Sequence, residues 1–118
     1  MAQTLYERVG GFAAVRRIVS AFYDAVLDEP RLAAHFADVE VARLIDHQTK
    51  FIASLMGGPA AFSDEQLRRV HAHLAVTRGE FDLLTELLAD VLEDAGLDRA
   101  DVDHVVGEME RRAPQIVK

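Results

Sequence analysis

The sequence predicts an all-α protein, and three observations carry the prediction. Apolar residues recur at i, i+3, i+4 and i+7 between a few glycines and prolines. Two segment starts, Ser63 with Gln66 and Thr77 with Glu80, carry the pairing in which two side chains satisfy orphan backbone N–H groups. No stretch alternates apolar and polar residues as a half-buried strand would.

Each element follows from its punctuation, which is Gly10-Gly11, Pro30, Gly57-Gly58-Pro59, Gly96 and Pro114. Phe12, Val15, Val19, Phe22 and Val26 make a first long apolar stripe. Leu44, Phe51, Ile52 and Leu55 make a second. A short helix over about residues 64–75 carries Leu67, Val70 and Leu74. Phe81, Leu84, Leu88 and Val91 form another stripe, and Gly96 stands where a helix end favours a residue free to take positive φ. Val102, Val105, Val106 and Met109 form the last. There is no repeat, no low-complexity tract and no linker, so residues 1–118 are expected to form one domain.

Composition narrows the function. Half of the 118 residues are hydrophobic, enough for a core. Net charge is −7, and the 13 Lys and Arg are scattered, a poor footprint for nucleic acid or an anionic membrane. Cysteine is absent, which removes disulfides, thiolate chemistry and Cys-based zinc sites. The stretch MAQTLYERVGG lacks the apolar core of a signal peptide, and no apolar run is long enough to span a bilayer, so a cytoplasmic location is expected.

Chemistry enters with RRVHAHLAVT, residues 68–77. His71 is four after Leu67 and three before Leu74, inside their stripe. His73, two positions on, lies about 200° round the helix and points away, so the two cannot chelate one ion from a single helix. Gln48 lies between Leu44 and Phe51 on the second stripe, His47 flanks it, and Tyr23 lies between Val19 and Val26 on the first. Polar groups on apolar faces each cost about 1–3 kcal/mol if unpaired. Either Tyr23, Gln48 and His71 form a private hydrogen-bond network, or they converge on a bound ligand. A dinuclear carboxylate site would need two Glu-x-x-His pairs. None is present, and the one Asp-x-x-His is Asp101 with His104. One inward imidazole in apolar surroundings suits a heme iron better than zinc or a di-iron cluster. His35, His73 and His104 read as solvated.

In this order the segments resemble the truncated hemoglobins, group I, over about residues 5–117. LYERVGG is similar to the family's shortened first helix and first glycine pair, and IVSAFYDAVL to its second helix with Phe22-Tyr23. RLAAHF and ARLIDHQTKFI resemble the turn bearing a Phe and the distal helix with its His-Gln-x-x-Phe core. GGP resembles the second glycine motif, and VHAHLAVTRGEFD the proximal segment.

The resemblance implies a two-over-two helical sandwich around heme b, with His71 as proximal iron ligand. It implies that Phe36 packs on the porphyrin, that Tyr23 and Gln48 line the distal side, and that Leu44 occupies the place of the distal histidine of ordinary globins. Phe51, Ile52, Phe62 and Leu67, core residues in any case, would touch the heme. Phe62 departs from the pattern: many relatives have a tyrosine there, whose hydroxyl can reach a heme propionate. His47 is either a rim residue near a propionate or a sixth iron ligand in the gas-free protein. The implied activity is reversible binding of oxygen, nitric oxide and carbon monoxide, for oxygen transport or for nitric oxide dioxygenation. Dioxygenation needs a separate reductase, because no flavin or nicotinamide motif is present. A heme-free helical interaction module that keeps the globin shape is the reading from another class.

Overall fold

The structure is a computed structural model and describes residues 3–36, 40–58 and 76–117. The helices in chain order are α1 (Leu5–Val9), α2 (Phe12–Asp28), α3 (Pro30–Ala33), a 3-10 turn (Ala34–Phe36), α4 (Val41–Leu55), α5 (Arg78–Asp94), α6 (Arg99–Arg111) and α7 (Ala113–Ile116). No strand occurs among the described residues. The short helix expected over 64–75, with its Ser63 cap, lies outside them.

Local chemistry sets the boundaries. Thr4 caps α1 and exchanges two bonds with Glu7, and Thr77 does the same with Glu80 at the start of α5. Asp98 accepts from the Asp101 N–H to open α6. Pro30 stands in the first turn of α3, where no intrahelical N–H is needed. Gly96, two residues past the end of α5, takes φ +96°, as expected.

The helices stack as a two-over-two sandwich. α2 packs on α4 and crosses α5, while α6 packs on α5 and also meets α4. Being covered from two sides, α2 is buried along paired rows: Ala14 with Val15, Ile18 with Val19, and Phe22 with Tyr23. That double cover corrects the single stripe read from the sequence. Ile18 belongs to the core, whereas Phe12, at the open end of the helix, is 43% exposed. In α5, Leu92 is fully buried and Val91, placed in the stripe by spacing, is only half-buried.

α1 is stitched to the end of α4, where Tyr6 N donates to Met56 O at 2.9 Å. The chain turns there through Gly57 at φ +84° and Gly58. A Cβ on Gly58 would stand 2.8 Å from Ala53 O and 3.0 Å from Tyr6 Cδ1, so only glycine fits the passage between the two helices.

Candidate functional site

Tyr23 is 6% exposed on the twice-covered helix α2. Its ring meets Phe22 edge-on at 5.0 Å and 71°, and Phe36 at 5.8 Å and 77°, both favoured aromatic geometries. Phe36, at the end of the 3-10 turn, is also buried. Burial alone pushes the Tyr23 phenol far above its ordinary value, so the group stays protonated and a donor at all physiological pH.

The hydroxyl itself makes no hydrogen bond among the described residues. Every side-chain N or O fully enclosed there does have a partner. The Tyr23 oxygen therefore borders open space at the edge of the core. Water can satisfy a hydroxyl at that edge; a bound molecule that displaced the water would have to accept from it, or the unmade bond would cost about 1–3 kcal/mol.

α4 forms the neighbouring wall. Its most buried polar group is Thr49, 0% exposed, whose hydroxyl donates to Ile45 O at 2.6 Å. Thr49 with Ile52, Ala53 and Met56 makes the buried face. Leu44 and Gln48 are half-buried, while Phe51 and Leu55 on the same row are buried. Gln48 is thus at the margin of the core, not within it as its spacing predicted. The helix is rotated so that Thr49, which satisfies itself on its own backbone, takes the inner position. No hydrogen bond joins Gln48 to Tyr23, so these two do not form the private network that was one reading of the sequence. His47 is exposed.

The structure thus brings Tyr23 and Phe36 into contact and places Leu44, Gln48, Phe51 and Ile52 on one helix beside them. Phe62, Leu67 and His71 lie outside the described residues, as does His73. His104 is exposed as expected, but His35 corrects the reading. Its Nε2 lies 2.6 Å from Glu80 Oε2, and its side chain is only 21% exposed. Four positions of chain lie between Pro30 and His35, and no periodic pattern in so short a run reveals which way an imidazole turns.

Among the described residues no three His, Asp or Glu side chains gather to hold a metal ion. The residues instead suit a prosthetic group that brings its own metal: aromatic and aliphatic side chains beside one hydroxyl that has no partner among the described residues. Among the same residues, no helix is long and apolar enough to cross a membrane.

A helical sandwich with an aromatic wall and an unanswered donor defines the globin class. The family model for bacterial-like globins matches residues 4–118, and the chain belongs to that family. Relatives agree. The chain is 32% identical to a group 1 truncated hemoglobin of Mycolicibacterium paratuberculosis, across 96% of this chain and 83% of that one. It is 35% identical to one from Synechocystis, across 80% and 79%. Among solved structures, the truncated hemoglobin of Tetrahymena pyriformis in its Fe(III) form superposes with TM-score 0.86 at 27% identity, covering 98% of each chain. The Synechococcus 2/2 hemoglobin, in the cyanomet state with covalently attached heme, gives 0.84 at 29% identity, covering 97% and 98%. The protein is a heme globin that binds diatomic gases.

Proposed function

We propose that residues 1–118 form one cytoplasmic globin domain holding heme b, with His71 as the iron ligand from the protein and Tyr23 and Gln48 as donors to the bound gas. Heme b, when bound, supplies an iron that takes oxygen, nitric oxide and carbon monoxide reversibly. The chain's residues decide what is held and for how long. The observation that carries the reading is the hydroxyl of the buried Tyr23, kept protonated by desolvation and without an acceptor among the described residues.

Tyr23 donates to a gas ligand with partial negative charge, in surroundings where such a bond is stronger than in water. Gln48, half-buried one helix away, offers a second donor. Phe36, Phe51, Ile52, Phe62 and Leu67 keep water from the site, and Leu44 leaves the gas side without an imidazole at that position. His47 is exposed on α4, which supports a rim position for it.

Strong donors slow oxygen release, which favours nitric oxide dioxygenation over bulk oxygen transport. Dioxygenation would need a separate reductase as its electron source, and the net charge of −7 with scattered Lys and Arg is a poor footprint for nucleic acid.

Absorption spectra of the purified ferric, ferrous and oxygenated forms test the reading. A Soret band that shifts on adding oxygen to the ferrous protein is expected. Its absence after reconstitution with hemin would leave the heme-free interaction module in its place.

A further inference from the structure

The turn that carries Phe36 is only three residues long, and a 3-10 turn has few and poorly aligned hydrogen bonds of its own. A side-chain pair holds it. His35 Nε2 stands 2.6 Å from Glu80 Oε2, joining positions 45 apart in sequence. Both side chains are mostly shielded, at 21% and 22% exposure.

Glu80 is engaged at both oxygens. Oε1 accepts from Thr77 N at 2.9 Å, while Glu80 N donates to Thr77 Oγ1 at 3.1 Å. The bond from the Thr77 backbone, and then the one from His35, hold its carboxyl below the usual range, so it is an anion at neutral pH. One carboxylate thus closes the cap of α5 with one oxygen and grips the Phe36 turn with the other.

On the inner side of that turn, Phe36 presses edge-on against Tyr23. Among the described residues the Tyr23 hydroxyl has no acceptor, and what holds it there is the packing of its ring on Phe22 and Phe36. We propose that the His35–Glu80 pair is a positioning strap, fixing the Ala34–Phe36 turn so that Phe36 holds Tyr23 with its hydroxyl directed at the bound gas. This rests on the reading of Tyr23 as a gas-side donor, and it assigns the aim of that donor to two residues outside the pocket.

The test uses the heme-loaded protein, with His35→Leu and His35→Gln each made in the parent and in Tyr23→Phe. Stopped-flow oxygen release is the first readout. A bond of ordinary strength predicts that His35→Leu speeds release by roughly threefold or more in the parent. His35→Gln, which keeps a donor of similar reach, should recover most of the loss. In the Tyr23→Phe background His35→Leu should have no further effect, since the two act through one hydroxyl.

The second readout is nuclear Overhauser contact between the Tyr23 and Phe36 rings in the diamagnetic carbon monoxide form. It should weaken in His35→Leu and persist in His35→Gln. Unchanged ring contacts in His35→Leu overturn the strap, as does unchanged oxygen release or equal acceleration in both backgrounds. Should Tyr23→Phe itself leave oxygen release unaltered, the donor reading fails, and the ring contacts still decide whether the pair positions Phe36. If His35→Leu does not fold, Glu80→Gln serves instead. It keeps an acceptor for Thr77 N, removes the charge, and should speed oxygen release in the same direction; no change overturns the proposal.

Discussion

At the corner of α1, α2 and the α5–α6 turn, a groove of about 830 Å³ runs over Leu5, Val9, Ile18 and Leu97. Its polar edge is largely self-satisfied. Arg8 meets Asp101 with two bonds of 2.9 and 3.0 Å, and Asp98 is spent on capping α6. On the Tyr23 side of the α2–α4 pair the reverse holds: the ring is packed on two aromatic neighbours and its hydroxyl has no partner among the described residues. Both regions are apolar and both carry polar groups. In the first, Arg8, Asp98 and Asp101 bond to one another or to the backbone and serve the fold, while in the second a hydroxyl on a buried ring is left open among the described residues. Concavity alone therefore does not find the site; an unanswered donor does.

The largest effect is expected at His71, the iron ligand proposed above. His71→Ala should abolish stable heme retention, or leave a protein rescued only by added imidazole, as read from the Soret band after gel filtration. His73→Ala should be nearly silent. If His73→Ala loses the heme and His71→Ala keeps it, the register of that helix is wrong and Tyr23 faces a differently built pocket.

Tyr23 comes next. A hydrogen bond to a partly charged acceptor contributes on the order of 1–3 kcal/mol, and about 1.4 kcal/mol is a factor of ten. Tyr23→Phe should therefore speed oxygen dissociation by roughly tenfold or more. Carbon monoxide attracts a donor less, so its dissociation should change little. Equal acceleration of both gases would show that Tyr23 acts by bulk, and no acceleration of either would remove it from the site.

The fold was legible because helix boundaries are local. Thr77 with Glu80 and Gly96 are each specified within a turn or two of chain, and the structure keeps them; the four stripes each fall on a helix, though not every member is buried. Phe12, Ile18 and Gln48 were misread for a shared reason. Helical spacing says which residues share a face, but how wide a face is covered depends on how many helices lie against it. α2 is covered from two sides, which draws Ile18 inward, and α4 is rotated toward Thr49. The His35–Glu80 pair was invisible because it joins distant segments through side chains, with no periodic trace. Tyr23 was legible because a phenol on an otherwise apolar row stands out wherever the helix is buried.

The saturated corner gives a weaker prediction of another kind. Arg8, first by its hydrogen bonds and then by its charge, holds the Asp101 carboxyl below the usual range. A depressed carboxyl stabilises the folded state above its unfolded value and ceases to as pH falls through its folded one. Asp101→Asn should thus lower the melting temperature slightly at neutral pH, with the difference from the parent shrinking under acid. Arg8 is half exposed, which keeps the effect small. Oxygen release should be unmoved, since this corner answers to the fold. A changed release rate in Asp101→Asn would break the division between the two regions.

The smallest effect is expected at His47, where the comparison is sharpest because the residue adjoins Gln48. Its imidazole is exposed, one position and about 100° round the helix from that amide. To become a sixth iron ligand it would have to turn inward, and α4 resists turning. Thr49, Ile52, Ala53 and Met56 are buried along its inner face, so rotation would draw apolar surface out of the core. His47→Leu should accordingly leave the ferrous gas-free spectrum unchanged and alter gas association little. A shift from a low-spin to a high-spin spectrum in that variant, with faster association, would show that His47 does reach the iron. α4 would then be a mobile wall, and the open side of the pocket would have to be redrawn around it.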